Sequence, residues 1–567
     1  MTTSDTHSQP WLHHYPEGID WSTPLTRRSL NEYIDDAEIR FADRPAIDFL
    51  GRKTTYAQLA AQIRQAAKGF QDMGVTKGSR VGLCLPNTPY SVICYFGALR
   101  AGATVVNYNP LYVERELAFQ ISDSETEIMV TMDLKLLYPK VAAMLSQTES
   151  LQQIVVCRMS PILPPLKGLL FGVVKRKEIA AVTDGETTVR FEDLINNDGQ
   201  PESVEIDIEQ DIAVLQYTGG TTGRSKGAML TQANLSANIS QVLSWFPGLR
   251  PGEEKIVGVL PLFHVFAMTA VMNFAVASGA EMILLPRYEL EQTLKTLSAK
   301  KATLFPAVPT IYTAINQAPD LAKYDLSSIR YCMSGGAPLP LEVKRQFEQI
   351  TGCKLVEGYG LSESSPVATC NALTGINKEN SIGLPVPGTD ITIHDLEAPH
   401  DLMPVGERGE VWIKGPQIMK GYLNQAEETT DTLRDGWLRT GDVGYMDEEG
   451  HFFLVDRLKD LILCSGYNVY PRMVEEAIYL HSAVSEVTVI GIKDEYRGES
   501  PKAFVKLKPG GSLTEADLKQ FLEDKLSKIE MPSHIEFRDE LPKTIIGKLS
   551  KKELVAEEQA QQPQADS

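Results

Sequence analysis

From residue 210 onward the chain alternates short apolar runs with longer helical ones, and this alternation limits the folds open to it. "DIAVLQYT" precedes a helical stretch after Met229, and "AEMILLP" precedes "ELEQTLKTLSAKK". "IRYCMSGG" precedes "LPLEVKRQFEQITG", after which comes "KLVEGYGLSE". Strand–helix–strand units of this kind build parallel sheets, which gather ligands at the C-terminal ends of their strands. Those ends carry glycines and hydroxyls here. An earlier stretch, Thr54 to Gly102, reads as helix, strand ("RVGLCLPN") and helix, which leaves room for a second related sheet.

The loop in "VLQYTGGTTGRSKGAM" (214–229) is the most pliable of these strand ends. Val214, Leu215 and Tyr217 read as a strand, and Ala228, Met229 and Leu230 read as the opening of a helix. Glycines between them let backbone N–H groups converge without Cβ obstruction, and a helix N-terminus adds partial positive charge, so a phosphate is the expected ligand. It is not a P-loop: Lys226 follows Ser225 rather than glycine, and Gly227 stands where Ser or Thr would hold magnesium.

At 567 residues the chain exceeds one ordinary core. After residue 405 it turns to short alternating strands ("GEVWIKG", "GYMDEEG", "HFFLVDR"), as in a small antiparallel barrel or meander. From "DRLKDLILCSGYNVYP" the character is α+β. The expectation is an α/β protein. A large N-terminal domain (1–455) holds parallel α/β sheets plus a small β-barrel-like subdomain. A hinge at 456–461 leads to an α+β C-terminal domain (462–555), and 556–567 is too poor in apolar residues to pack.

The net charge of −19 excludes nucleic acid as a bulk partner, because phosphate backbones need a basic surface. Seven cysteines without CxxC or zinc spacing suit a reducing compartment. Nothing at the N-terminus reads as a signal peptide, and the longest apolar stretch, Val265 to Ala280, is interrupted by Thr269, Asn273 and Ser278. A buried helix is expected there rather than a membrane span.

Seven segments then occur in one order: "YTGGTTGRSKGAML" (217–230), "PLFHVFA" (261–267), "SGGAPL" (334–339), "VEGYGLSES" (356–364), "RTGD" (439–442), "DRLKDLILCSGYNVYP" (456–471) and "LPKTIIGK" (541–548). Together they resemble the acyl-adenylate-forming superfamily of acyl-CoA ligases, luciferases and peptide-synthetase adenylation domains. "YTGGTTG" and "KGPQIMKGY" look most like bacterial long-chain fatty-acid–CoA ligases. The resemblance implies a cytoplasmic enzyme that joins a medium- to long-chain fatty acid to AMP, using ATP and Mg²⁺, and then passes the acyl group to coenzyme A. The same chemistry on an aryl or short-chain acid, or a non-catalytic nucleotide-binding role, stays open. So does a homodimer.

Residue by residue, the resemblance implies that Thr218, Gly219, Gly220, Thr221, Thr222, Gly223 and Lys226 wrap the β- and γ-phosphates. Ser225 departs from the proline frequent before this lysine. Glu363 and Thr218 would hold magnesium through oxygen. Tyr359 offers adenine a flat face among Glu357, Gly358, Gly360 and Leu361, with Gly335, Gly336 and Ala337 as the opposite wall. Asp442 and Arg457 would take the ribose. Lys548 would bridge the fatty carboxylate and the α-phosphate as a point charge on developing negative charge. Lys459 marks the hinge of a mobile C-terminal domain, and Gly466 would let pantetheine pass close to backbone; Leu463 stands where some relatives carry a lysine.

His264 would line the carboxylate end of the acyl site, and Met268 stands where some long-chain enzymes place a gating tryptophan. Residues 161–177, "PILPPLKGLLFGVVKRK", combine apolar side chains with a basic end. They read either as a proline-broken loop packed on its own domain or as a peripheral contact with the inner face of the cell membrane.

Overall fold

The computed structural model describes residues 9–183, 185–218, 225–465, 467–494, 496–544 and 547–561. Seven strands form the first sheet, in the order Thr188–Arg190, Gln153–Cys157, Ile128–Met132, Arg80–Leu83, Thr104–Asn107, Ile212–Thr218 and Lys226–Thr231. All neighbours run parallel except the last pair. Both faces are covered, so the strands are mostly apolar, as buried parallel strands tend to be. The helix Pro89–Arg100 is buried along almost its whole length and packs on Tyr56–Asp72. A Cβ at Gly97 would lie 2.8 Å from the Ala66 Cβ, so the missing side chain sets how closely these helices approach.

Lys226–Thr231 corrects one expectation. Ala228, Met229 and Leu230 do not open a helix; they pair antiparallel with Ile212–Thr218, with Thr218 opposite Lys226. A short apolar run has no period of its own, and the long-range partner decides its state. The helix starts at Gln232, where the Thr231 hydroxyl caps it by accepting from the Asn234 N–H at 3.1 Å.

In the second sheet, Glu281–Leu284 runs parallel to both Lys255–Gly258 and Pro45–Phe49. Single bridges through Leu304 connect it to Tyr331–Ser334, which is parallel to Lys354–Gly360. Thr218, Ser334 and Gly360 thus end strands of the two sheets at one cleft.

Val265–Ser278 is the buried helix expected, with a π-helical turn, Met268–Asn273, between two α-helical pieces. It ends at Gly279, whose φ of 73° is the left-handed conformation a helix C-terminus favours. No described helix is long and apolar enough to cross a membrane.

Asp390–His394, Gly409–Lys414, Leu433–Arg434, Trp437–Met446 and Phe452–Arg457 form the small antiparallel subdomain. Beyond Leu458–Asp460, a separate core gathers strands Val484–Asp494 and Gly498–Leu507 with helices Pro471–Tyr479 and Glu515–Leu522. Residues 556–561 depart from the disordered tail expected at 556–567. They continue the helix Lys551–Gln561, which buries Leu554 and pairs Glu557 with Arg538 at 2.7 Å and Glu558 with Lys502 at 2.5 Å. One buried leucine and two ion pairs supply what the polar composition alone does not.

Candidate active site

The strand ends enclose a cleft of about 470 Å³. One end of it is built on two paired strands, in which Asp442 stands opposite Arg457. Arg457 Nε lies 2.8 Å from Asp442 Oδ1, and the Tyr359 hydroxyl donates to Oδ2 at 2.6 Å. The carboxylate is buried with both oxygens engaged. Its charge is the main reason the Arg457 guanidinium is held above its ordinary range, while burial and then Asp442 push the Tyr359 hydroxyl well up. Tyr359 and Arg457 both line the cleft. Gly335, Gly336, Gly358, Gly360 and Leu361 line it as well, where side chains would obstruct a flat ligand.

At the other end, Thr218 and Lys226 face each other across the antiparallel pair, and both line the cleft. The Lys226 ammonium is ion-paired with Glu428 and lies 5.3 Å from the centre of the Tyr422 ring. The Tyr422 hydroxyl donates to Glu363 Oε1 at 2.7 Å. Glu363 therefore has a fixed position and a second oxygen free of that bond. A carboxylate and a hydroxyl are hard oxygen donors of the kind Mg²⁺ takes beside phosphates, so Glu363 and Thr218 fit that ion. Gly219, Gly220, Thr221, Thr222 and Gly223 lie outside the described residues.

Lys548 enters the cleft from the C-terminal domain. Its carbonyl accepts from the Thr544 N–H at 2.7 Å, and its own N–H donates to the Thr544 hydroxyl at 3.1 Å. Gly547, with φ of 82°, makes the turn, and Thr310 Oγ1 donates to its carbonyl at 2.7 Å. A Cβ on Gly336, whose φ of 83° already favours glycine, would lie 2.7 Å from Lys548 Cε and push the end of the lysine aside. The residue keeps some exposed surface, yet loss of water around the ammonium, and then the Arg457 charge, pull its pKa down to about 8, opposed by Asp442.

His264 also lines the cleft. Its Nδ1 accepts the Phe266 N–H at 3.3 Å, which leaves the ring proton on Nε2. Burial, helped by the Lys548 charge, lowers its pKa to about 3, so the ring is neutral. It can donate one hydrogen bond to a carboxylate without adding charge.

Other sequence candidates lie off the cleft. The Met268 sulfur is buried and accepts from Asn107 Nδ2 at 3.4 Å. Glu357 is buried beneath the strand end, where its carboxylate accepts the Leu339 N–H at 3.3 Å and burial raises its pKa to about 7. Neither residue is part of the lining, and nor are Ala337, Lys459 or Asp442, whose carboxylate meets the cleft only through its bonds to the lining residues Tyr359 and Arg457. Lys459 sits in the single turn Leu458–Asp460 that joins the two domains, and Gly466 lies outside the described residues. Conversely, Tyr422, Asn107, Gln216 and Thr440 line the cleft without having been singled out in the sequence. Asn107 and Gln216 left a signal: each is a polar residue within an apolar strand, and their amides bond at 3.1 Å.

Residues 35–423 match the AMP-binding enzyme model, and residues 473–548 match the AMP-binding enzyme C-terminal domain. The chain belongs to the AMP-binding enzyme family. This AMP-binding enzyme is 45% identical over 553 residues to the long-chain-fatty-acid–CoA ligase of Bacillus subtilis (strain 168), covering 97% of this chain and 98% of that one. It is 38% identical to the long-chain-fatty-acid–CoA ligase of Yersinia pestis, over 97% of this chain and 98% of the relative. Among solved structures it resembles the anthranilate CoA ligase AuaEII in complex with anthranoyl-AMP, with a TM-score of 0.84 and 26% identity over 96% of this chain and 99% of that one. This AMP-binding enzyme is an acyl-CoA ligase: ATP and a carboxylic acid give acyl-AMP and pyrophosphate, and coenzyme A then displaces AMP.

Proposed function

We propose that the acid is a medium- to long-chain fatty acid and that Lys548 is the group that carries its activation. The observation behind this reading is the Lys548 ammonium inside the cleft, within reach of the electrostatic influence of both Asp442 and His264. An ammonium there opposes the charge that builds up as one anion attacks another, while His264 donates from Nε2 to the acid's carboxylate. Asp442, already oriented by Tyr359 and Arg457, accepts from the ribose hydroxyls, and the Tyr359 ring takes adenine. Lys226 leaves Glu428 for the phosphates, joined by the N–H groups of Gly219 to Gly223. Glu363 and Thr218 hold Mg²⁺, which shields the triphosphate when bound.

The chain length rests on the two long-chain relatives and on a small apolar void of about 20 Å³ beside the cleft. Val242, Phe246, Ala270 and Phe274 line that void, and Met333 lines both spaces. Room for about one water holds no alkyl chain, so Phe274 and Phe246 must move to extend it. For the second half-reaction, the turn at Lys459 lets the C-terminal domain rotate, withdrawing Lys548 and bringing Gly466 to the cleft. The reading includes a cytoplasmic enzyme whose residues 161–177 touch the inner face of a cell membrane.

The test is acyl-CoA formation across an acid series from acetate to oleate, with coumarate included. A specificity maximum at eight carbons or more is expected. A maximum on acetate or coumarate would overturn the assignment of the acid. No product with any acid would favour a nucleotide-binding role without catalysis.

A further inference from the structure

The helix Pro165–Val174 is put together inside out. Gly168, Phe171 and Gly172 face the protein: a Cβ on Gly168 would lie 2.5 Å from the Ser160 carbonyl oxygen, and Phe171 packs on the main core. Leu166, Leu169, Leu170, Val173 and Val174 recur at the i, i+3, i+4, i+7, i+8 spacing of a buried helical stripe. They point outward instead, with 51–71% of each exposed. The two glycines and the neighbouring prolines have packed the helix by its thin face and left its large aliphatic groups in water.

Cations surround this stripe. Residues 165–178 carry Lys167, Lys175, Arg176 and Lys177 against Glu178 alone, a local charge of four minus one on a chain of −19. Arg176 and Lys177 are exposed, and Lys175 pairs with Glu178 at 2.6 Å. The same surface continues next door. Lys135 N–H donates to the Glu178 carbonyl at 2.8 Å, and Leu136 beside it is 67% exposed.

We propose that this helix is a monolayer anchor: its leucines and valines enter the acyl boundary of an anionic bilayer while Lys175, Arg176 and Lys177 sit among the headgroups. The inference rests on the reading of the protein as a fatty-acid–CoA ligase and specifies how that ligase meets its substrate. Charge selects the occupant. A second copy would bring another strongly acidic surface with its own basic stripe, whereas an anionic leaflet pairs with both features of the patch at once. An acid dissolved in the leaflet then reaches the enzyme without crossing bulk water.

The full chain is to be floated with phosphatidylcholine vesicles, with and without phosphatidylglycerol, as wild type, Leu169→Glu/Val173→Glu and Arg176→Glu/Lys177→Glu. Wild type is expected to float with the anionic vesicles. The apolar pair should lose at least about tenfold in bound fraction, since two buried aliphatic groups become charged. The charge reversal should weaken binding to anionic vesicles by roughly fivefold or more per residue and leave neutral vesicles unaffected. Octanoyl-CoA formation without vesicles should be the same in all three, which also reports that they fold. Wild type that stays with the soluble fraction, or variants that float equally well, would overturn the anchor. So would a dimer in sedimentation that Leu169→Glu/Val173→Glu dissolves, because the stripe would then belong to a second copy. If no form makes octanoyl-CoA, the ligase reading fails while flotation still decides the anchor.

Discussion

The strand pair that carries Asp442 and the hairpin that carries Lys548 each bring a charge to or beside the same cleft, but they secure it in opposite ways. Asp442 sits on a paired strand with both oxygens bonded, in the register that also fixes Arg457. Lys548 hangs on a turn whose contact with the large domain includes one hydrogen bond, from Thr310 to Gly547, and its ammonium has been stripped of water without a salt-bridge partner among the described residues. On the roles proposed above, the charge required throughout the reaction is the one compensated in the resting fold, and the charge required for one step is the one left for a ligand to compensate.

This contrast can be broken most severely at the lysine. Lys548→Ala should slow acyl-AMP formation by roughly 10²–10⁴-fold, the usual loss for a preorganised charge at a transition state. Thioester formation from synthetic acyl-AMP and coenzyme A should stay nearly intact. Single-turnover kinetics of each half-reaction would show this, and equal damage to both would place the lysine in the framework instead.

Asp442→Asn attacks the compensated side. It leaves Arg457 and Tyr359 facing an amide, and hydrogen bonds to charged groups contribute about 1.5–3 kcal/mol, so KM for ATP should rise roughly 10–100-fold. Both half-reactions should suffer, because ribose is held in both. A loss confined to adenylation would erase the distinction between the two regions.

A pH series sharpens it without mutation. In the role proposed for it Lys548 acts protonated, and loss of water around it pulls its pKa down to about 8. The kcat/KM for ATP should therefore fall above pH 8, by about tenfold per unit, since that parameter reports the free enzyme. Stability runs the other way. The pKa is depressed in the closed arrangement, so the proton favours the open one, and closure gains as pH rises from about 8 toward the ordinary lysine range. The protection factor at the hairpin, hydrogen exchange corrected for its base-catalysed intrinsic rate, should rise over the pH range in which adenylation declines. His264, with a pKa of about 3, should add no inflection near neutrality.

The smallest effect is expected at the acyl end. Ala270→Val narrows the void beside Met333 and should move the optimum to shorter acids by a few carbons, with a several-fold loss on long ones and little change on octanoate. An unchanged chain-length profile would place the acyl chain elsewhere.

Much of this was legible in the sequence where local chemistry is unambiguous. Strand–helix alternation announced the two sheets, and "RTGD" and "LPKTIIGK" put Asp442 and Lys548 on segments that the fold brings to one cleft. Legibility ended where a partner decides. "KGAML" has no period that separates helix from strand, and only its pairing with Ile212–Thr218 settles it. Glu357 lies one residue from the lining glycine 358, yet strand alternation turns its side chain away from the cleft. Tyr422 reaches Glu363 from 59 residues away, which no local pattern encodes.

The π-helical turn Met268–Asn273 carries one residue more than an α-helix would use over the same rise, and Ala270 of the void lies within it. Such a turn is an insertion already absorbed. Losing a residue there would restore regular winding while the helix on either side keeps its register, so the side chains re-aimed would be those of the turn itself, Ala270 among them. If the void takes the acyl chain as proposed, the lining of that end can thus change by the loss of one residue that leaves both ends of the helix in place.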